Sequence, residues 1–293
     1  MKKDTIRKTK SVKISVYVTN RRDMTKELNA IYVIWLRELV RYWRSRIRAV
    51  SGIMMPLLWL VVLGSGLASS LKFSPQESGS GAGLDYLSFI FPGVMAMTIL
   101  FSSVFSALTI VYDREFGFFK EIFVAPISRT SIVIGKTLGG ATTTTFQASL
   151  MFVLAPFIGI HVPLLTVGIM IPAIFLIAFG FSAFGVLVAA RMKSTESFPM
   201  VMQFMVMPMF FLAGAMFPLR DAPPWMNALS KFDPLTYGVD LLRSLYFKGL
   251  GVNLPFGITV FGRPLTPLLD IVILSGIVVV LMFFSVKLFG KTE

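Results

Sequence analysis

The chain has no cysteine and a single histidine, His161, among its 293 residues. Without cysteine, disulfide scaffolds, thiol nucleophiles, iron–sulfur clusters and Cys-ligated zinc are excluded. One histidine leaves no cluster to hold a metal and no H-E-x-x-H motif. Charge is scarce as well. Asp, Glu, Lys and Arg make up 15% of the chain, against roughly 25% in soluble domains. Hydrophobic residues make up 55%, with 28 Phe, and the mean hydropathy is +0.76. The charges fall in short blocks between long uncharged runs, the pattern of an all-α integral membrane protein.

A bilayer-crossing helix needs roughly 20 apolar residues, because the hydrocarbon core is about 30 Å thick and each residue rises 1.5 Å. Runs free of charge are Ala49–Leu71, Tyr86–Tyr112, Thr137–Ala190, Ser197–Leu219 and Ile271–Val286. The third, 54 residues long, holds two spans divided at Gly159-Ile160-His161-Val162-Pro163, a run of helix breakers. The last reaches span length through Pro267–Asp270 and a snorkelling Lys287. Six spans are therefore expected, over 49–71, 88–112, 137–158, 164–190, 197–219 and 267–289. Six spans put both termini on one face with residues 113–136 and 191–196. That face carries 22 of the 28 Lys and Arg, so the positive-inside rule makes it cytoplasmic. The net charge of +13 follows from this asymmetry, and no nucleic-acid partner is expected.

Residues 1–25 and 290–293 read as basic cytoplasmic tails, the first of them disordered. The long polar lead before a full-length first run argues against a cleavable signal peptide. No internal repeat stands out, unlike many secondary transporters. Residues 26–48 form an amphipathic helix with Leu28, Tyr32, Trp35, Leu39 and Trp43 on one face and Arg37, Arg41, Arg44 and Arg48 as a basic stripe. Two readings stand side by side: an anchor in the anionic leaflet, or an interface helix touching a cytoplasmic partner.

The loop 113–136 mixes charge with apolar bulk: Asp113, Arg114, Glu115, Lys120 and Glu121 beside Phe116, Phe118, Phe119, Ile122 and Phe123. Ser128, after Pro126, is placed to start a helix. Such a loop reads as short amphipathic helices packed on the membrane face or on another protein. Gly135-Lys136-Thr137 imitates the end of a phosphate-binding loop, but position 130 is Thr where that motif needs Gly. The triplet is read as the basic end of a membrane helix. In the outer segment 220–266, Pro223-Pro224-Trp225 opens a helix and Asp233-Pro234 breaks and restarts it. Asp240 and Arg243 then stand at i, i+3 and can pair on one face.

Within the uncharged runs the polar candidates for a substrate path are Ser102, Ser106, Thr144, Gln147 and Gln203, with Met207 and Phe211 as adaptable apolar lining. Helix–helix hydrogen bonding is the alternative role for Gln203, and lipid contact for the Met and Phe. Proton- and ion-coupled carriers place charge inside their spans. Here those runs hold none, so active transport needs an external energy source.

The ordered set Tyr112-Asp113-Arg114-Glu115-Phe116-Gly117, Lys120-Glu121, Pro126-Ile127-Ser128-Arg129, Gly135-Lys136, Phe217-Pro218-Leu219, Pro223-Pro224-Trp225 and Asp233-Pro234-Leu235-Thr236-Tyr237-Gly238-Val239-Asp240 with Arg243 resembles the ABC type-2 transporter permease family. It is similar to drug-export permeases of the daunorubicin-resistance kind, over about residues 30–290. Many members have Asn where Asp233 stands.

The resemblance implies a six-transmembrane-helix ABC type-2 permease bundle with an N-terminal interface helix and re-entrant outer helices between spans five and six. It implies a chain in the inner membrane that binds no cofactor, paired with a second permease copy or paralogue and two ABC ATPase subunits that bind ATP and Mg. It maps ATPase coupling onto Asp113, Arg114, Glu115, Gly117, Lys120, Glu121, Pro126, Ser128, Arg129 and Lys136. The interface helix is carried by Trp35, Arg37, Glu38, Arg41, Trp43 and Arg44, beside membrane lipid. The outer closure is carried by Pro224, Trp225, Asp233, Pro234, Tyr237, Asp240 and Arg243. The expected function is outward movement of a hydrophobic or amphipathic compound. Export of a lipid-linked glycan or lipid is the alternative within transport; a lipid-modifying membrane enzyme or a sensor subunit is the alternative outside it.

Overall fold

The computed structural model describes residues 24–68, 86–117, 127–219, 222–252, 259–260 and 263–290. They are helical apart from turns and a two-residue antiparallel pairing of Thr259–Val260 with Arg263–Pro264. The helices are α1 Met24–Arg44, α2 Arg46–Ala68, α3 Tyr86–Ser106, α4 Leu108–Glu115, α5 Arg129–Leu154, α6 Leu164–Ala189, α7 Ser197–Leu212, α8 Pro224–Ser230, α9 Pro234–Gly249 and α10 Pro267–Phe289. Lys120, Glu121 and Pro126 of the expected coupling loop lie outside the described residues, as does most of the N-terminal tail.

Among the described residues four stretches are long and apolar enough to cross a membrane: Tyr86–Glu115, Arg129–Ile158, Leu164–Ala189 and Pro267–Phe289. Two shorter apolar helical stretches, Gly52–Val62 and Ser197–Leu212, stand where the first and fifth spans are expected. The fifth differs from its expected 197–219 for a local reason. Gly214 adopts φ +65°, a left-handed conformation that ends a helix, and α7 stops at Leu212. Sixteen residues rise about 24 Å, short of the roughly 30 Å hydrocarbon core.

The α1 helix ends at Arg44, and Ser45 separates it from α2. The amphipathic helix is therefore shorter than 26–48. Its docked stripe is Ile34, Glu38 and Tyr42, at i, i+4, i+8, whereas Tyr32 and Trp43 of the expected aromatic face are exposed. The α5 helix provides the groove. A Cβ on Gly135 would stand 2.9 Å from the side chain of Ile34, and one on Gly139 would stand 2.6 Å from Glu38 Cβ. Two glycines four apart thus let α1 approach the α5 backbone closely.

The α6 helix is apolar around its whole circumference and packs against α3, α5, α9 and α10; it is buried or half-buried from Ala173 on, while Leu164, Leu165 and Ile169 at its start are exposed. Helix α9 is wedged among α3, α6 and α10 and is buried from Leu235 to Arg243. Its start is built by Asp233, whose carboxylate accepts from Leu235 N–H at 3.0 Å with Pro234 in the first turn, a favoured N-terminal arrangement. Apolar side chains face outward on α7 (Met200, Phe204, Phe211) and α10 (Val279, Phe283), the surface a hydrocarbon solvent requires.

Candidate coupling site and cavity

Five helix ends meet where α1 lies across the bundle. Ser128 caps α5 as its sequence position suggests, accepting from Ser131 N–H at 3.1 Å. Glu27 of α1 adds a carboxylate at the same helix start: it accepts from Ser128 N–H at 3.2 Å, from Ser128 Oγ at 2.6 Å and from the Ser131 hydroxyl. An anion there faces the positive end of the α5 dipole.

Three consecutive residues at the end of α4 reach three different neighbours. Asp113 accepts from Arg37 at 2.9 Å, Arg41 at 3.0 Å and Lys136 Nζ at 2.8 Å. Arg114 donates to the carbonyls of Ala190 at 2.8 Å and Met192 at 3.0 Å, a cation on the orphan carbonyls at the end of α6. Glu115 accepts from Thr195 N–H at 2.8 Å, just ahead of α7. Arg129, at the start of α5, donates to Gly290 O at 2.9 Å and so holds the end of α10. Gly117 terminates this segment with φ +78°.

Lys136 is the centre of the charge. It is 4% exposed, and its ammonium donates to Glu38 at 2.6 Å as well as to Asp113. Burial alone would push the Glu38 carboxyl up; Lys136 beside it, with Arg41 and Arg37 further off, outweighs burial and holds it below the ordinary carboxylate range. The reading of Lys136 as a basic helix end is revised here. It lies two turns inside α5 and is paired, which is how a buried ammonium avoids its desolvation cost. An uncharged-run criterion stops at Lys136 and cannot see Glu38, 98 residues away.

The remaining interface-helix residues divide. Trp35 donates Nε1–H to Thr142 Oγ1 at 3.0 Å. Trp43 packs on Phe146 with ring centroids 4.8 Å apart, and Arg44 is exposed.

Above this cluster a cavity of about 480 Å³ opens between α1, α2, α3, α5 and α7. Ser102, Ser106, Gln147, Gln203 and Met207 line it. Thr144 stands behind them, donating to Ser102 Oγ at 3.2 Å, and Ser102 donates to Gln147 Oε1 at 2.8 Å. Phe211 is exposed and does not line it. The sequence does not single out Trp59, Met97 and Phe101, which form much of the apolar wall; nothing in their spacing separates them from ordinary span residues.

At the far end of the bundle Arg243 is buried. It donates to the carbonyls of Gly214 at 3.1 Å and Ala215 at 3.4 Å and lies 4.2 Å over the Phe89 ring. It thereby ties α9 to the turn that ends α7. Asp240 is buried on the same helix. Tyr237 donates to Lys231 O at 2.7 Å, and Trp225 of α8 is exposed. Burial pushes the Asp233 carboxyl up to about 7 despite the donors on it.

Residues 29–247 match the family described as ABC-2 type transporter. A protein of Cyanophora paradoxa named as a transport permease, ycf38, is 29% identical over 222 residues, 75% of this chain and 74% of that one. Nodulation protein J of Rhizobium leguminosarum bv. viciae is 23% identical over 213 residues, 72% of this chain and 79% of that one. A protein of Escherichia coli K12 named as a multidrug ABC transporter permease, YbhR, is 26% identical over 208 residues, 68% of this chain and 53% of that one.

Proposed function

We propose, because the chain belongs to the ABC-2 type transporter family, that this membrane transport subunit moves a hydrophobic or amphipathic compound outward, driven by ATP hydrolysis in separate ATPase partners. The observation that carries the coupling part is the Asp113-Arg114-Glu115 segment. It joins α1, α5, the end of α6 and the approach to α7, so a push on one short segment reaches four helices at once. Glu115, Glu121 and Arg129 are the residues proposed to pass on the push.

The complex is proposed to hold two ATPase subunits, which bind ATP and Mg, and a second permease copy or paralogue, in the inner membrane with the termini cytoplasmic. The 22-to-6 distribution of Lys and Arg supports that orientation. When the partner ATPases close, the α4 end shifts against α1 and the spans move toward an outward-open arrangement. This requires that the closed partners bind one arrangement more tightly than the other. The cavity beside Gln147 and Gln203, and a relative named for multidrug transport, support a drug-like or lipid-like substrate.

The test is purification of the tagged chain from its native membrane with identification of stoichiometric partners by mass spectrometry. A co-purifying ATPase subunit is expected; repeated isolation of the chain alone and stable removes the reading. In the reconstituted complex Glu115→Lys or Arg129→Glu should lower transport at least tenfold while ATP hydrolysis continues. Unchanged transport at normal abundance excludes this segment from the mechanism.

A further inference from the structure

The cavity above the charge cluster has one charged end and one apolar end, and the balance of charge has a sign. At the charged end Glu38, Arg41 and Lys136 reach its wall. Each carboxylate of the cluster is already held: Glu38 by Lys136, and Asp113 by Lys136, Arg37 and Arg41. Three cations therefore stand against two carboxylates, leaving one positive charge in excess. Arg37 and Arg41 are each about one third exposed at the side chain, so they are not fully sequestered. Away from this end the polar lining is neutral: Ser102, Thr143, Gln147 and Gln203. The opposite wall is Met55, Trp59, Met97 and Phe101.

We propose that this cavity binds a single-chain amphiphile with an anionic head, a carboxylate or phosphate, placed at Arg41 within the positive field of Lys136, with its apolar body along Trp59, Met97 and Phe101. The inference rests on the transport reading and narrows it. A lipophilic cation, the commonest form of an amphipathic drug, meets no free carboxylate here, and burying a cation without one is costly. An anionic head meets the guanidinium of Arg41, which forms the stronger, charge-assisted kind of hydrogen bond; Lys136, whose three N–H groups are taken by Glu38, Asp113 and Thr109, adds its charge alone. The volume of about 480 Å³ is in the lower half of the range, roughly 300–1,000 Å³, that takes one drug-sized molecule. It accommodates one acyl chain and not two.

The probe is a sixteen-carbon fatty acid bearing a mid-chain diazirine, photolysed with the full chain in lipid nanodiscs, with the labelled residues mapped by mass spectrometry. Labelling on α2 and α3 around Trp59, Met97 and Phe101 is expected, together with competition by dodecyl phosphate at least tenfold better than by dodecyltrimethylammonium. Arg41→Gln should weaken that competition about tenfold, and Met97→Trp, which fills the apolar end without touching a charge, should abolish cavity labelling. Equal competition by the cation, or labelling spread evenly over the lipid-facing surfaces of α7 and α10, overturns the proposal. A two-chain diazirine phospholipid labelling the same residues as strongly also overturns it, because the occupant is then a bilayer lipid. The parent reading fails separately: cavity labelling without a co-purifying ATPase removes the transport mechanism and leaves the ligand site standing, whereas an ATPase partner without cavity labelling does the reverse.

Discussion

The two ends of the bundle solve the same problem, keeping helix ends together in or near a membrane, by different means. At the α1 end, ionic groups from separate helices are paired: Glu27 at the start of α5, Asp113 with three cations, Arg114 on the α6 carbonyls, Arg129 on the end of α10. At the α9 end a single helix is wedged among three others, and neutral groups serve its ionisable side chains: Leu235 N–H and the Thr236 hydroxyl for Asp233, the Gly214 and Ala215 carbonyls for Arg243. Ion pairs can exchange partners with little steric rearrangement, whereas a packed helix must move as a body. In the proposed mechanism the α1 end receives the push and the α9 end moves as one piece.

The largest effect that would sharpen this contrast is expected at Lys136. Lys136→Met leaves the buried Glu38 without its hydrogen-bonded cation, facing only Arg37 at 3.7 Å and Arg41 at 3.9 Å, and breaking a buried pair from one side costs about 3–5 kcal/mol. The thermal midpoint of the purified complex should fall steeply, and Lys136→Arg should restore part of it. A Met variant as stable as the parent would show that the cluster does not hold the α1 end together.

The next effect belongs to the α9 end and depends on pH. The folded Asp233 carboxyl keeps its proton to about pH 7, against an ordinary value of 3.8. The folded state therefore binds more protons across that window, and stability falls as pH rises through it. At about 1.4 kcal/mol per unit, the loss is on the order of 3 kcal/mol between pH 4 and 7. Asp233→Asn keeps a good N-cap and should flatten that slope in unfolding measurements. If wild type and variant share one slope, burial of Asp233 is not its source.

Arg114→Ala should cost about 2 kcal/mol by leaving the α6 carbonyls without their charged donor. Hydrogen exchange should accelerate around residues 189–195 and stay unchanged in α9. The smallest effect is expected for Gly139→Ala, about 1–2 kcal/mol, because the added methyl presses on Glu38. It should appear as increased proteolysis of α1 rather than as global unfolding. Equal loosening of α9 by either variant would erase the distinction between the two ends.

Much of this architecture is legible in the sequence because it depends on local chemistry. Ser128 after Pro126, the breakers Gly159–Pro163, and the restart at Asp233-Pro234 each fix a helix end with groups a few residues apart. The charge cluster is not legible, since its pairs lie 23 to 98 residues apart, and no periodicity connects them. The face of α1 that docks is hidden for a related reason. The aromatic stripe looks like the buried side, but in a membrane aromatics can face lipid, so Glu38 takes the place against α5 that hydrophobicity would deny it. The Gly135 and Gly139 spacing is the one sequence signal that points to that contact.

Asp113, Arg114 and Glu115 follow one another on a helix, where each residue turns the direction of its side chain by about 100°. Together they sweep most of a circle, and each direction is occupied by a different neighbour. The α4 helix is separated from α3 by a single turn residue, Ala107. A rotation that eases one of the three grips strains the other two, so the three contacts together fix the angle of the segment. They hold it like a three-pin connector, and a single residue inserted between Ala107 and Asp113 would misdirect all three pins together.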